Sequence, residues 1–315
     1  MKEIKTLRKV NIMVLGIDIG ATKTVCAVLR EGRLRKSERI RTKSEPGEFF
    51  DDLCGLIENF TGDDMSSIGA IGIGAPGPIR IEEGIFGCLP NLGLWDGFEM
   101  RKALESRYSV PVKIQNDANA ACLGEAVFGG GRGFRSVFYI TISTGIGGGF
   151  VIDGNIVNGG HDLTGELWTL PVENFGEEDI LINTASGPGI VRNVRRMMRE
   201  SDRSTPLEED FDTEDVFKCA DRGDPLCVSA VRKAIDDMST VVISVLLIVD
   251  PDVVLIGGGM ACSESLMIDP MRAKIAENGF LQRNKHAEIR RAELWDEAVL
   301  YGALSLFGKP ALEYR

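Results

Sequence analysis

Asp117 stands in the run Gln115-Asn116-Asp117-Ala118-Asn119-Ala120, between an apolar stretch at 110–115 and a helical pattern at 118–128. A carboxylate at a strand end and a helix start is the fixed group a general base for a hydroxyl requires. A plain helix cap explains the same residues equally well. Three glycine-rich runs suit a phosphate or a flat ring. The first is Asp18-Ile19-Gly20-Ala21-Thr22-Lys23-Thr24. Gly20 permits a tight turn, the amides after it and the Thr22 and Thr24 hydroxyls can donate to phosphate, and Asp18 can hold Mg²⁺ through water. The second, Thr141-Ile142-Ser143-Thr144-Gly145-Ile146-Gly147-Gly148-Gly149, packs four glycines and two hydroxyls into residues 143–149. It lacks the Walker A lysine, and no helix follows as a dinucleotide fingerprint demands. The third, Gly257-Gly258-Gly259-Met260, removes side chains at a strand's carboxyl end, where a ring could lie. Taken singly, each run is also explained by a plain hairpin, a bulge or a βα turn.

The elements that must hold these runs alternate between strand and helix. Hydrophobic patterning predicts strands at 12–19, 25–29, 33–41, 68–74, 110–115, 136–142, 150–153 and 253–259, with 143–149 a loop. Helices are predicted at 47–60, 98–107, 118–128, 184–200, 213–222, 228–249, 264–277 and 297–307. Gly129 to Gly131 read as a helix stop, and Asp250-Pro251 as another. The hairpin opening IDIGATKT recurs in weaker form as ITISTGIGG, which suggests an internally duplicated α/β fold with a cleft between its halves.

Bulk composition narrows the function classes. The chain has 36 Lys and Arg against 47 Asp and Glu, a net charge of −11, which disfavours nucleic acid and anionic lipid as partners. Seven scattered cysteines with no C-x-x-C spacing read as reduced thiols of a cytoplasmic protein. No signal peptide is visible, and the most apolar stretch, 241–249, is about half a membrane span. Glycine is in excess at 37 of 315 residues.

In this order the motifs resemble the ROK family of sugar kinases, within the actin/hexokinase superfamily. GIDIGATKT (16–24) is similar to that family's first phosphate loop, and GIGAPGP (72–78) to its substrate-side glycine loop. PNLGLWDGF (90–98) and QNDANAACLGEAVFG (115–129) are similar to its sugar segments. TISTGIGGGFVIDGNIVNGG (141–160) with GELW (165–168) matches its signature stretch, and VVLIGGGM (253–260) its adenosine loop. The resemblance implies two actin-like (ribonuclease H-like) α/β domains around an active-site cleft, residues 1–117 plus about 302–315 and residues 118–301. It implies ATP and Mg²⁺, and a glucokinase-like transfer to a hexose hydroxyl, the 6-hydroxyl, with Asp117 as base. Gly77, Asn91, Asn116 and Glu166 would face the sugar. Asp18 would hold Mg²⁺ through water. Gly20, Ala21, Thr22, Lys23, Thr144, Gly145 and Gly147 would line the phosphates, and Gly257, Gly258 and Gly259 the adenine. The assembly it allows is a homodimer.

The departures concern the sugar. Family members carry E-x-G-H followed by a cysteine-rich zinc segment. Here Thr169 stands where the histidine is expected, Ile182 where a sugar-binding glutamate is usual, and 170–187 contains no cysteine. No structural zinc is therefore expected, and His161 reads as a loop residue. A less polar pocket wall at Ile182 suits a substituted sugar, so a kinase for N-acetylmannosamine or N-acetylglucosamine is the alternative within the class. A sugar-responsive repressor needs a DNA-binding domain ahead of the first phosphate loop, and about 13 residues precede that strand. A non-catalytic sugar-binding or regulatory protein would be expected to lose Asp117 or the phosphate loops, and both are present.

Overall fold

The computed structural model describes residues 13–87, 92–201, 205–262 and 264–308. Asn91 lies outside them. Within the described residues the chain forms two units. One runs to Ala120 and resumes at Val299, and the other spans Ala121–Ala298. Among the described residues, no helix is long and apolar enough to cross a membrane.

The first unit contains β1 (Met13–Ile19), β2 (Lys23–Arg30), β3 (Arg33–Lys36), β4 (Ile40–Arg41), α1 (Pro46–Thr61), β5 (Ile68–Ala75), β6 (Ile79–Arg80), β7 (Ile85–Phe86), α2 (Met100–Tyr108), β8 (Val112–Asn116) and the start of α3 (Asp117–Phe128). Its main sheet has the order β3-β2-β1-β5-β8, with β4 on β2. The first three strands form an antiparallel meander, and β1, β5 and β8 run parallel. The predicted strand at 33–41 breaks in two at Ser37, whose hydroxyl takes the bond of Cys26 N–H at 2.9 Å. That diverts one rung of the ladder.

The two faces of this sheet are built differently. Leu15, Ile17, Ile71 and Ile73 point into a core with Phe49, Leu53 and Ile57 of α1 and with Trp95. The Trp95 ring lies 4.7 Å from Phe49 and 5.1 Å from Phe86. On the opposite face stand Gly16, Gly72 and Gly74, and against them lies the last helix, Ala298–Ser305. A side-chain carbon on Gly72 would come within 1.9 Å of the Ala303 carbonyl oxygen, and one on Gly74 within 2.3 Å of Val299. The glycines at alternate positions of β5 thus serve a helix, so Gly72 and Gly74 of the stretch similar to a substrate-side glycine loop belong to the strand. Alternation along a strand puts them on one face. Their bare backbone lets the helix settle close on the sheet, backbone against backbone at Gly72, with Leu304 and Val299 filling the space at Gly16 and Gly74.

The second unit holds the rest of α3, then β9 (Ser136–Ile142), β10 (Ile146–Ile152), β11 (Asn155–Ile156), β12 (Pro171–Asn174), β13 (Glu177–Ile180), α4 (Ile182–Ala185), α5 (Gly187–Glu200), α6 (Thr213–Asp221), α7 (Pro225–Ile248), β14 (Val253–Gly257), α8 (Asp269–Ala276) and β15 (Glu288–Arg291). The sheet order is β11-β10-β9-β14-β15. Again three strands form an antiparallel meander and the rest run parallel. The two sheets share one plan, as the recurring hairpin sequence suggested.

Helix α7 begins where Asp224 accepts from the N–H groups of Leu226 (3.1 Å) and Cys227 (3.0 Å), with Pro225 in its first turn. Cys227, Ala230, Val231, Ala234, Met238, Val241, Val242 and Val245 form its buried stripe at helical spacing. The helix closes as predicted at Asp250-Pro251, where Asp250 takes φ +49° and donates its N–H to Val245. The predicted helix at 184–200 is interrupted at Ser186, whose hydroxyl caps α5 by accepting from Gly189 N–H at 3.0 Å. The predicted helix at 264–277 opens with a π-helical turn, Glu264–Ile268. At Gly129 to Gly131 helix α3 does stop, without positive φ. Gly129 makes room for the buried Glu125 carboxylate, which accepts from the N–H groups of Gly130, Glu293 and Leu294 at 2.9, 3.1 and 2.7 Å.

Five cysteines, Cys26, Cys54, Cys122, Cys219 and Cys227, are free and buried. Burial raises the Cys26 and Cys122 thiols far above their ordinary range, so both behave as small apolar groups.

Candidate functional site

In the first unit, strand register gathers the proposed residues at one edge. Asp18 pairs with Gly74 across β1 and β5, Gly74 with Gln115 across β5 and β8, and Ala75 with Asn116. Asp18, the loop after β5 containing Gly77, and the Asn116-Asp117 pair therefore lie along one row, at the carboxyl ends of the parallel strands. Adjacent strands are about 4.8 Å apart, so Asp18 and Asn116 lie roughly 10 Å from each other. This is the end of an α/β sheet at which ligands bind.

The helix cap there is Asn116. Its Oδ1 accepts from the N–H of Ala118 at 2.9 Å and of Asn119 at 3.3 Å. Asp117, expected at the cap, is instead the first residue of α3, and its Oδ1 meets the Ala118 N–H at 2.7 Å. Two residues on, Asn119 is buried and its side-chain oxygen has no partner. A buried orphan acceptor of this kind is satisfied by a bound hydroxyl or water, and its place in the helical pattern had hidden it.

The turn at 20–23 is closed by Gly20 N–H donating to the Lys23 carbonyl at 2.9 Å. Ala21, Thr22 and Lys23 are exposed. Thr24 is not available to a phosphate. It is fully buried, and its hydroxyl lies 2.9 Å from that of Thr42.

In the second unit, Gly147 pairs with Thr141 and Thr141 with Gly257, one row across β10, β9 and β14. The loop expected at 143–149 is much shorter. Strand β10 starts at Ile146, so only Ser143, Thr144 and Gly145 connect the hairpin, with Thr144 exposed and open space where a Gly145 side chain would go. Gly148 belongs to the strand because the chain at Gly165 crosses it. A Gly165 side-chain carbon would lie 2.1 Å from the Gly148 carbonyl oxygen, and Gly165 itself takes φ +90°. That crossing delivers Glu166.

At the next loop, the Tyr139 ring occupies the space beside Gly257 and the Ile142 backbone the space beside Gly258. Only Gly259 faces open space. A further element had gone unnoticed. Gly187 at the start of α5 donates its N–H to the Ser143 carbonyl at 2.9 Å, which sets a 14-residue helix N-terminus beside the Thr144-Gly145 turn. Its Gly-Pro-Gly opening was the available signal.

Glu166 Oε2 accepts from the Trp168 indole N–H at 2.6 Å, and the Thr169 hydroxyl donates to the Glu166 carbonyl at 3.3 Å. Trp168 thus orients the carboxylate, a role its sequence position did not disclose. Ile182 is half-buried in α4, and His161 is exposed in a loop.

The segment where cysteines are missing is held by a carboxylate. Asp179 on β13 accepts from Asn183 (2.7 Å), Ile180 N–H (2.9 Å), Asn174 (3.0 Å) and Arg192 of α5 (2.8 Å). Without thiolates the donor set does not suit a structural zinc. Burial alone would raise the Asp179 carboxyl, but these hydrogen bonds outweigh it and pull it down to about 2. A depressed carboxyl stabilises the fold above its unfolded value, 3.8, and that contribution disappears as pH falls through about 2. Asp179→Asn is expected to cost on the order of 2 kcal/mol at neutral pH. The gap between variant and parent should close on acidification, as read by denaturation midpoints at several pH values. Elemental analysis of the purified protein should find well under one zinc per chain.

The sequence profile of the ROK family matches residues 14–309. A glucokinase from Thermotoga maritima is 29% identical over 310 residues, spanning 94% of this chain and 97% of that protein. A xylose repressor from Caldicellulosiruptor bescii is 27% identical over 247 residues, 75% of this chain and 61% of the repressor. A ROK hexokinase structure from Thermus thermophilus superposes with a TM-score of 0.79 at 30% identity, covering 93% of this chain and 96% of that one. A ROK glucokinase from Streptomyces griseus, solved with glucose and AMPPNP, gives 0.74 at 26% identity, covering 93% and 98%. The two like-ordered sheets are those of the actin-like fold these sugar kinases share. With a match running through both units, this chain belongs to the ROK family.

Proposed function

We propose that the chain is an ATP-dependent hexose kinase of glucokinase type, transferring the γ-phosphoryl group to the sugar 6-hydroxyl. The observation that carries this reading is the row at the carboxyl ends of β1, β5 and β8, where Asp117 follows a cap supplied by its neighbour. Asp117 takes the hydroxyl proton as the oxygen attacks phosphorus. Asn116, Glu166, Gly77 and Asn91 orient the sugar. The amides and side chains of residues 20–23 and 144–147 hold the phosphates, and residues 257–259 flank the adenine. Phosphoryl transfer asks chiefly for such positioning and charge neutralisation. The Asp18 carboxylate oxygen is a fitting donor for Mg²⁺, whose chemistry is to neutralise phosphate charge. Glucose and AMPPNP in the Streptomyces griseus relative support the choice of substrates.

A kinase for an N-acetylated hexosamine is favoured by one feature, the apolar Ile182 in place of a polar contact. The deciding experiment is a coupled ADP-release assay over glucose, mannose, fructose, allose, N-acetylglucosamine and N-acetylmannosamine. Turnover with glucose highest supports the first reading, and preference for an acetylated sugar supports the second. Silence with every sugar would leave a binding protein. Trp168→Phe keeps the ring but removes the N–H that holds Glu166. Loss of a hydrogen bond to a charged group is expected to raise the sugar KM about tenfold, with a smaller fall in kcat.

A further inference from the structure

Two carbonyls of the turn after β1 are tied to a single residue beyond β4. The Thr42 hydroxyl donates to the Gly20 carbonyl at 2.8 Å, and the Thr42 N–H donates to the Thr22 carbonyl at 3.0 Å. A planar trans peptide sets its C=O and N–H on opposite sides of the chain. Holding the Gly20 carbonyl against Thr42 therefore turns the Ala21 N–H away from Thr42. Thr42 is buried and Ala21 exposed, so that amide is presented on the open side of the turn.

The direction of these bonds is fixed. A hydroxyl carries one proton. That of Thr42 goes to Gly20, so the 2.9 Å contact between the Thr24 and Thr42 hydroxyls is donated by Thr24. The relay runs from Thr24 through Thr42 to the Gly20 carbonyl, each bond polarising the next. Thr42 is anchored from its other side. The Trp95 indole N–H donates to the Lys43 carbonyl at 3.2 Å, and the Lys43 ammonium pairs with Asp52 of α1 at 2.9 Å. Thr42 is thus the fixed partner, and the turn is the part free to move. Gly20 makes the restraint necessary. Without a Cβ its backbone rotates readily, and a rotated peptide would set its carbonyl oxygen where the Ala21 amide now stands. A carbonyl repels phosphate oxygens, whereas successive amides bind them.

We propose that Thr42 is a positioning residue for the phosphoryl donor. Its buried hydroxyl, polarised by Thr24, holds the peptide between Gly20 and Ala21 with the amide toward the phosphates. The proposal rests on reading that turn as a phosphate loop. Being buried, Thr42 acts through the Gly20 carbonyl and not on the phosphates directly.

The test compares Thr42→Val, which keeps the shape and removes the hydroxyl, with Thr42→Ser, which keeps the hydroxyl and removes the methyl group. AMPPNP is titrated calorimetrically into the full chain. Thr42→Val should bind it about tenfold more weakly, as for one lost hydrogen bond, and Thr42→Ser should stay within about twofold of the parent. In turnover, Thr42→Val should raise the KM for ATP and leave that for the sugar unchanged. Thr61→Val is the control, since it deletes another buried hydroxyl, one bonded to the Ile57 carbonyl in α1 at 2.7 Å. It should lower the melting temperature without changing AMPPNP affinity, which is also what a merely structural Thr42 would give. Thr24→Val, which removes the donor behind Thr42, should weaken AMPPNP by about threefold. It carries the test if Thr42→Val does not fold. Unchanged affinity in Thr42→Val, or in Thr24→Val where that variant stands in, would overturn the proposal, as would an equal loss in Thr42→Ser. Sugar-dependent ADP release is read on the same samples. Its absence in the parent protein, with hydroxyl-dependent AMPPNP binding intact, would count against the kinase reading alone.

Discussion

Asp117→Asn is expected to lower sugar-dependent ADP release by about a hundred- to ten-thousand-fold, the range general-base catalysis contributes. The fold should survive, because the start of α3 is capped by Asn116 Oδ1 on the N–H groups of Ala118 and Asn119. An amide at 117 is isosteric with the carboxylate and keeps an oxygen facing the Ala118 N–H. The matched comparison is Asn116→Ala. Removing a cap costs about 1 kcal/mol of stability, so that variant should shift the denaturation midpoint where Asp117→Asn does not. Near-normal turnover in Asp117→Asn would remove Asp117 from its proposed role. A large loss of stability in the same variant would show that the carboxylate is structural.

The second large effect concerns two glycines in helices, for which the structure demands opposite signs. By helix propensity alone, either glycine to alanine change should gain about 1 kcal/mol. At Gly55 in α1, nothing lies within 4 Å of the added carbon, so Gly55→Ala should stabilise. At Gly302 in the last helix, the added carbon would lie 1.7 Å from the Ala120 carbonyl oxygen and 2.4 Å from its carbon. Neither backbone can yield without moving α3 or the helix from its seat. Overpacking costs typically about 1–3 kcal/mol and sometimes more, so Gly302→Ala should be a net loss of on the order of 2 kcal/mol. Urea midpoints for the pair provide the check. A shift in the same direction for both would mean that the helix does not lie as close to its neighbours as described.

Much of the framework was readable from hydrophobic patterning, and particular elements show where such reading ends. Strands β1, β5, β9 and β14 announce themselves as buried apolar runs, and α7 as an amphipathic stripe between Asp224 and Asp250-Pro251. The hairpin of β12 and β13 does not. Its two-residue turn places Phe175 at φ +52° and Gly176 at φ +90°. Turns of that kind ordinarily carry Asn-Gly or Asp-Gly, and a phenylalanine there gives no signal. The polar run Glu177-Glu178-Asp179 likewise lacks strand alternation. Its purpose emerges only when Asp179 meets Asn174, Asn183 and Arg192.

Glycine marks the same boundary within the candidate site. Composition and motif order pointed to phosphate loops, and Gly145 and Gly259 do face open space. Gly72, Gly74, Gly148, Gly257 and Gly258 are small because other parts of the chain approach them, which depends on distant segments no local pattern contains. Trp168 escaped notice for a related reason. Its bond to Glu166 depends on the turn made at Gly165, where the backbone crosses Gly148.

The bare glycine face of the first sheet has a consequence for how the molecule is made. Residues 121–298 are contiguous, so that half can mature as soon as it leaves the ribosome. The half begun first cannot. On one side its β1 and β5 carry glycine at Gly16, Gly72 and Gly74, and the helix that covers them is encoded some 225 residues after β5. Domains usually fold in the order they are synthesised. Here the order is expected to invert, with the half begun earlier kept waiting for a helix that follows the whole of residues 121–298.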